Sequence, residues 1–107
     1  MNEDKKIEIN NRIVNNIYHL CKLKNIKIGD LEKKIGVRIG YFSRKKKSYS
    51  TIGIFELIET TEILEICLDE IINVDYKEQY LKIELQEELE EIEKRKQEII
   101  DELKHLN

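Results

Sequence analysis

The stretch at residues 26–47, IKIGDLEKKIGVRIGYFSRKKK, decides the fold of this 107-residue chain. It predicts a short helix over 28–35, a sharp reversal at Gly36, and a second short helix over 39–46. Glycine suits the corner between them because it adopts a left-handed backbone without steric cost. The stretch closes on four consecutive cations at 44–47.

The apolar residues of this stretch are spaced as two packed helices require. They are Ile28, Leu31, Ile35, Val37 and Phe42. Two short helices around a glycine turn form the helix-turn-helix pattern, whose second helix enters the major groove of DNA. The pattern therefore predicts DNA contacts from the exposed residues of the second helix. These residues are Arg38, Ile39, Gly40, Tyr41, Ser43 and Arg44.

Charge is divided unevenly along the chain, whose formal net charge is -3. Residues 22–47 hold ten Lys or Arg against two acids, whereas residues 48–76 hold seven acids and no base. A basic surface attracts DNA phosphates, and arginine can bind guanine through two hydrogen bonds. Arg44 is the predicted base contact. The predicted phosphate contacts are Lys33, Lys34, Lys45, Lys46 and Lys47. A lysine run is also typical of a solvated loop, which is the alternative.

The composition predicts an all-α fold, because the chain has no proline and only 4 glycines. Residues 1–8 are predicted to be flexible, and residues 9–74 to form one domain of five helices. The first helix is expected over 9–24. A loop at 48–50 should lead to a fourth helix over 52–64, capped by Ser50 or Thr51. A fifth, shorter helix is expected to begin at Asp69 as its cap.

Two further details concern packing. The apolar face of the fourth helix is expected to contain Phe55, Leu57, Ile58 and Ile63. Cys21 and Cys67 stand among apolar residues without a CxxC or Cys/His pattern, so both are expected to be buried free thiols.

Residues 75–107 contain no glycine, proline, serine or threonine and predict one long helix. Apolar residues follow a four-three spacing, interrupted by one lysine, that is typical of a coiled coil. The positions are Leu85, Leu89, Ile92, Lys96, Ile99, Leu103 and Leu106. A homodimer through this helix is expected. Parallel pairing brings Glu88 against Glu93 of the partner, so antiparallel pairing or a larger bundle stays open, as does a helix folded back over its own domain.

Other functions find little support in the residues. His19 and His105 lack metal-ligand spacing, and there is no glycine-rich phosphate loop, so no enzyme, metal or cofactor is expected. No window approaches the roughly 18 apolar residues that span a bilayer. A cytoplasmic protein that does not bind membranes is therefore expected.

The segments DLEKKIGVRIGYFSR at 30–44 and LEICLDEII at 64–72 resemble the Cro/C1-type (XRE-family) helix-turn-helix DNA-binding proteins of phages and bacteria. The resemblance covers residues 9–74. The matching core and recognition positions are Leu31, Gly36, Val37, Phe42, Ser43 and Arg44. The resemblance implies a repressor-like regulator, bacterial or phage-encoded, that binds operator DNA as a dimer. It also implies that the following residues face bases: Arg38, Ile39, Gly40, Ser43 and Arg44.

The predicted function is therefore transcription regulation by sequence-specific binding of double-stranded DNA. The alternative is a protein-interaction module that keeps the helix-turn-helix fold, such as a phage-encoded inhibitor or an antitoxin. Ile28 and Glu32 favour this alternative, because they replace a glutamine and a small residue that are common in the family. The acidic remainder of the chain favours it too.

Overall fold

The computed structural model describes residues 2–47 and 50–106, which form helices joined by short loops and contain no strand. The helices are α1 (Glu3–Leu23), α2 (Ile28–Ile35), α3 (Tyr41–Lys47), α4 (Ile54–Leu64), α5 (Leu68–Asn73) and α6 (Lys77–Leu106). The expected all-α fold with a long final helix is confirmed. Parts of three predicted segments lie outside the described residues: Met1 of the N-terminus, Ser48 and Tyr49 of the loop, and Asn107 of the last helix.

Helix α1 begins at Glu3, six residues before the predicted start at Ile9. The Asn2 side chain accepts a hydrogen bond from the Lys5 N–H at 2.8 Å, which caps the helix. Acidic side chains in the first turn also suit the positive end of the helix dipole. The predicted start was wrong because it was placed at the first residue of the apolar stripe, whereas the cap lies upstream of that stripe.

Helix α1 is the centre of the domain, and α3, α5 and α6 pack against it while α2 packs against α4. The buried apolar side chains come from α1 to α5 and from Tyr76, which directly precedes α6. They are Ile13, Val14, Ile17, Leu20, Cys21, Leu31, Ile35, Phe42, Leu57, Leu64, Ile71 and Tyr76. The two-helix unit at 28–47 is thus held on a single core.

Helix α4 begins two residues later than predicted, with Gly53 at its N-cap position. Neither Ser50 nor Thr51 caps it. The reason is that the preceding backbone donors bond elsewhere. The Ile52 N–H donates to the Asn10 side chain at 3.1 Å, and the Gly53 N–H donates to the Tyr41 hydroxyl at 3.2 Å.

The buried face of α4 also differs from the prediction. Phe55 is 74% exposed and Ile58 is exposed as well, whereas Thr60 and Thr61 are buried beside Leu57. Each threonine hydroxyl donates to a backbone carbonyl of its own helix at 2.7 Å, so its burial leaves no polar group unpaired. The helix is therefore rotated relative to the face that the apolar residues alone predicted.

Cys21 is buried as expected, but Cys67 is exposed, so the prediction for Cys67 was wrong. Cys67 takes the N-cap position of α5 in place of Asp69. Asp69 lies inside the first turn, where its carboxylate accepts a hydrogen bond from Asn73 at 2.6 Å. A residue at the edge of a short helix faces solvent, which explains the exposure of the Cys67 thiol.

The buried side chain of Asn16 fixes the path between α5 and α6. Its amide nitrogen donates to the carbonyls of Ile71 at 2.8 Å and Val74 at 2.7 Å. Its amide oxygen accepts the Tyr76 N–H at 3.4 Å. One side chain on α1 thus satisfies backbone groups on both sides of the turn, which sets where α6 leaves the domain.

Helix α6 is docked at its N-terminal end only. Tyr80 stacks on His19 of α1 with ring centroids 4.9 Å apart, and Glu87 lies 3.7 Å from the Lys22 ammonium. Thirty residues give a helix about 45 Å long, and the molecule measures 69 × 28 × 25 Å. The helix therefore extends away from the domain and does not fold back over it.

The seven positions of the predicted coiled coil are called here the α6 seam. All are exposed along one unbroken helix, and none is covered by the domain. They are Leu85, Leu89, Ile92, Lys96, Ile99, Leu103 and Leu106. The seam also carries a shallow groove of about 330 Å³ lined by Ile92, Arg95, Lys96, Ile99 and Ile100.

Candidate nucleic-acid interface

The corner between α2 and α3 is built as the sequence predicted. Helix α2 runs from Ile28 to Ile35 and ends at Gly36, whose φ of 79° is left-handed. The Val37 N–H then donates to the Glu32 carbonyl at 3.1 Å, and the Val37 side chain packs against the core. This arrangement closes the end of α2 and turns the chain towards α3.

The second helix starts at Tyr41, two residues after the predicted start at Ile39. Gly40 has a φ of 89°, which is incompatible with a right-handed helix, so the prediction that Gly40 lies within the helix was wrong. Glycine is needed here for its backbone conformation. A second left-handed residue thus follows Gly36, and the four residues between α2 and α3 that begin at Val37 remain non-helical.

The side chain of Glu32, on α2, caps the start of α3 through two hydrogen bonds. One carboxylate oxygen accepts the Gly40 N–H at 3.0 Å, and the other accepts the Phe42 N–H at 3.1 Å. Only 2% of Glu32 is exposed. A carboxylate that accepts two N–H groups at a helix start does the work of an N-cap, here from a neighbouring helix.

The charge of Glu32 shifts the pKa values of two side chains on α1. Burial, and after it the Glu32 carboxylate, raises the pKa of the Cys21 thiol to about 11. The same two causes raise the pKa of Tyr18, against the opposing effect of a hydrogen bond with Ser43. Glu32 is thus enclosed by α1, α2 and α3, and Ser43 of the predicted DNA-contact set is half-buried beside Tyr18.

Helix α3 carries Arg44 and Lys47, which lie three residues apart and are both exposed. The Arg44 guanidinium donates to the Ile39 carbonyl at 3.0 Å and so lies over the turn. Arg38 is exposed next to it, and 60% of Ile39 is exposed. The structure therefore brings Arg38, Ile39, Arg44 and Lys47 to solvent around the corner of the two-helix unit.

Other residues of the predicted set contact the protein itself. The Lys46 ammonium donates to the Asn15 side chain of α1 at 2.8 Å. The Lys45 ammonium lies 5.2 Å above the centre of the Tyr41 ring. The Tyr41 hydroxyl already accepts the Gly53 N–H, and the ring packs edge-on to Phe42. These three side chains therefore also make contacts within the domain, although Lys46 stays exposed.

Lys33 and Lys34 are exposed near the end of α2 and line a surface groove of about 730 Å³. The groove lies between α2, the end of α1 and the loop that joins them. Its other lining residues are Cys21, Lys22, Asn25, Ile26, Lys27 and Asp30. Four lysines against one aspartate make this groove basic. Lys22 and Lys27 thus lie beside the predicted phosphate contacts Lys33 and Lys34, although they were not predicted as contacts.

Two buried asparagines that sequence reasoning did not single out position the site. The Asn10 amide donates to the Lys45 carbonyl at 3.5 Å and to the Ser50 carbonyl at 3.2 Å, which fixes the end of α3. Asn16 performs the corresponding role for α6. Both lie within the apolar stripe of α1, and a polar residue at such a position was the signal available in the sequence.

Comparison of the chain with protein-family models, with curated proteins and with solved structures finds no match. In residues 2–47 and 50–106, no helix has both the length and the apolar character that crossing a membrane requires. Over the same residues, no three His, Cys, Asp or Glu side chains are grouped so as to hold a metal ion.

Proposed function

We propose that this chain is a sequence-specific DNA-binding regulator of transcription, repressor-like and of the Cro/C1 type (XRE family), that acts in the cytoplasm as a homodimer. One observation carries the proposal. The turn between α2 and α3 presents Arg38, Arg44 and Lys47 beside an exposed Ile39, on a backbone fixed by Glu32. A rigid, cationic helix-turn-helix corner suits the major groove of DNA.

The chemistry of this corner supports base reading as well as phosphate binding. The planar guanidinium of Arg44 can donate two hydrogen bonds to guanine. It would exchange its bond with the Ile39 carbonyl for those with the base. The exposed Ile39 side chain offers an apolar contact for a thymine methyl group. Arg44 and Ile39 thus provide a preference for guanine and a preference for thymine within one short segment.

Local charge supports the same proposal. Glu32 is buried and engaged, so Asp30 is the one exposed acid of residues 28–47. Arg38 and Lys47 flank the turn, and the basic groove along α2 extends the positive surface. Phosphates would meet a surface that is cationic even though the whole chain has a formal net charge of -3.

The homodimer part of the proposal rests on the α6 seam. Six of its residues are each more than half exposed along the same helix face: Leu85, Leu89, Ile92, Ile99, Leu103 and Leu106. Burial of a leucine side chain contributes roughly 1.5–3 kcal/mol. A second helix laid along the seam would therefore gain stability from each of these positions.

The test is a fluorescence polarisation titration with genomic DNA fragments at two salt concentrations. The proposal predicts that binding prefers some sequences and weakens steeply as salt is raised. Arg44→Ala should relax the base preference at one position, at a cost of about 1–3 kcal/mol. Lys47→Ala should weaken all sequences equally and lower the salt dependence by about one phosphate contact.

Lys82→Ala is the matched control, because Lys82 is the same residue type and is exposed on α6, away from the two-helix corner. We expect it to leave the affinity for DNA nearly unchanged. Absence of any sequence-preferring, salt-sensitive binding by the unaltered chain would refute the DNA-binding proposal.

A second candidate function is the protein-interaction module. Ile54, Phe55 and Ile58 share one face of α4 and are all exposed, so an apolar surface lies on the domain itself. Of the two substitutions that favoured this alternative, Glu32 now has a structural role as the cap of α3, and Ile28 packs against the core. Phe55→Ser should leave DNA binding intact under the first proposal. Under the second, it should abolish binding to the partner protein.

A further inference from the structure

The residues beside the α6 seam carry charge in a pattern that distinguishes the possible pairings. With Leu89 at heptad position a, the flanking g positions are Glu88, Arg95 and Glu102. The flanking e positions are Gln86, Glu93 and Ile100. All of these lie on a helix that is continuous from Lys77 to Leu106. The seam itself contains one cation, Lys96.

Parallel pairing in register opposes like charges in two places. Lys96 would face the partner's Lys96 in the same layer of the seam, because a positions face each other in parallel pairs. Glu88 would also face the partner's Glu93. The contact between the two Lys96 side chains lies within the seam, where the helices approach most closely. The contact between Glu88 and Glu93 occurs twice by symmetry. Repulsion between like charges therefore disfavours parallel pairing.

Antiparallel pairing removes both conflicts, because each a position then faces a d position. Centred between Gln97 and Glu98, it places Leu89 against the partner's Leu106 and Ile92 against the partner's Leu103. Lys96 faces the partner's Ile99, which its long aliphatic stem can cover. Arg95 comes beside the partner's Glu102, and symmetry produces this ion pair twice.

Other antiparallel alignments lose these advantages. A shift of one heptad opposes Glu88 to the partner's Glu102 and Arg95 to the partner's Arg95. A shift of two heptads keeps an ion pair, between Glu88 and the partner's Arg95, but it places the exposed Lys82 and Glu78 in the seam, against the partner's Ile99 and Leu103. Of these three alignments, only the one centred between Gln97 and Glu98 combines apolar matching with charge complementarity.

We propose that the occupant of the α6 seam is a second copy of this chain in antiparallel orientation, with Arg95 paired to the partner's Glu102. This orientation adds detail to the homodimer of the proposed function. Its consequence for DNA binding rests on that proposed function. The centre of the pair lies about 20 residues from the start of α6, or about 30 Å at 1.5 Å per residue. The two domains are then about 60 Å apart.

This spacing has a consequence for the DNA target. Half-sites one helical turn apart lie about 34 Å apart, which is too close for the two domains. Half-sites about two turns apart, or two separate DNA segments, fit the antiparallel pair. A parallel pair would instead place both recognition helices together at one end.

The test is a charge exchange measured by sedimentation equilibrium without DNA. Arg95→Glu and Glu102→Arg should each weaken dimerisation, roughly tenfold if the two exposed ion pairs follow typical magnitudes. The double variant Arg95→Glu/Glu102→Arg should restore the original dissociation constant. Rescue is specific to this alignment, since in a parallel pair Arg95 faces the partner's Ile100 and not Glu102.

Lys94 and Asp101 provide a matched control. They have the same charges and the same separation in sequence as Arg95 and Glu102, but they occupy the outer f position of the heptad. Lys94→Glu, Asp101→Lys and their combination should leave the dissociation constant unchanged. The control variants reverse charges on the helix surface, as the Arg95 and Glu102 variants do. If charge reversal weakened dimerisation by destabilising the helix itself, the control variants would show the same loss.

Orientation is read directly from a spin label at Lys82→Cys in a Cys67→Ser background, where Cys21 is buried. Antiparallel pairing predicts about 45 Å between the two labels. Parallel pairing predicts about 15 Å or less, given helix axes 8–10 Å apart. A short distance, a lack of rescue, or a mass of one chain at micromolar concentration would overturn the inference. Because these measurements contain no DNA, an antiparallel dimer without DNA binding would reject the proposed function and support this inference.

Discussion

At the scale of single residues, Glu32 joins the two helices of the candidate interface. Its carboxylate lies on α2 and accepts N–H groups at the start of α3, so the orientation of the second helix depends on a side chain of the first. The left-handed backbone of Gly40 is what turns these N–H groups towards it. The direction of Arg44, which lies over the same turn, depends in turn on both residues.

Removal of this carboxylate should destabilise the fold. We expect Glu32→Ala to lower the free energy of unfolding by about 2–3 kcal/mol, because the Phe42 N–H is buried and would lose its acceptor. Glu32→Gln keeps one acceptor oxygen and should cost about 1 kcal/mol. Urea denaturation followed by circular dichroism measures both. Equal stability of all three chains would show that the two hydrogen bonds contribute nothing.

Sequence reasoning succeeded at Gly36 and did not reach Glu32, and the difference has a physical cause. A glycine after a short apolar helix marks a left-handed corner through local backbone sterics alone. The partners of Glu32 are backbone groups eight and ten residues away, and only the folded turn brings them together. For the same reason the bond of Lys46 to Asn15, which spans 31 residues, was not predicted from the sequence.

At the scale of elements, α1 positions both functional parts of the chain through polar side chains within an apolar stripe. Asn10 holds the end of α3, and Asn16 holds the turn that leads into α6. The periodicity of apolar residues predicted these helices, but not the direction in which each leaves the domain. The face of α4 shows the same limit, since Thr60 and Thr61 are buried in preference to Phe55.

The contact between α1 and α6 should depend on pH through His19. Burial lowers the pKa of His19 from 6.5; Asp75 acts against this, while Lys77 and Lys46 lower the pKa further. Since the folded chain binds the His19 proton less tightly than the unfolded chain, stability is full above pH 6.5 and is lost as pH falls towards the lowered pKa. The charged ring would lie beside Tyr80, which stacks on it.

His19→Phe preserves an aromatic ring for Tyr80 and removes the proton. Thermal unfolding between pH 5 and pH 8 should therefore show a smaller loss of stability at acid pH for this variant than for the unaltered chain. Among the described residues, the buried Nδ1 of His19 has no hydrogen-bond partner, so the variant should also be no less stable at neutral pH. Identical pH profiles would assign the acid sensitivity to other groups.

At the scale of the whole molecule, charge and shape are arranged along one long axis. The domain carries a cationic corner at α2 and α3, and residues 50–76 are acidic. Helix α6 then extends the molecule to 69 Å and exposes the α6 seam along its outer part. The composition predicted both the uneven charge and the long helix, whereas the place where α6 docks required the contacts of His19 and Lys22 with it.

The exposed part of α6 has a consequence for amide hydrogen exchange. A lone helix of about 18 residues is only marginally stable in water, so the amides of residues 89–106 should exchange rapidly in a single chain. Pairing would protect them, and protection at these positions should rise with protein concentration. Amides in the core, such as that of Leu20, should be insensitive to it. Hydrogen–deuterium exchange at two concentrations thus measures the association equilibrium through residues 89–106, without any label or substitution.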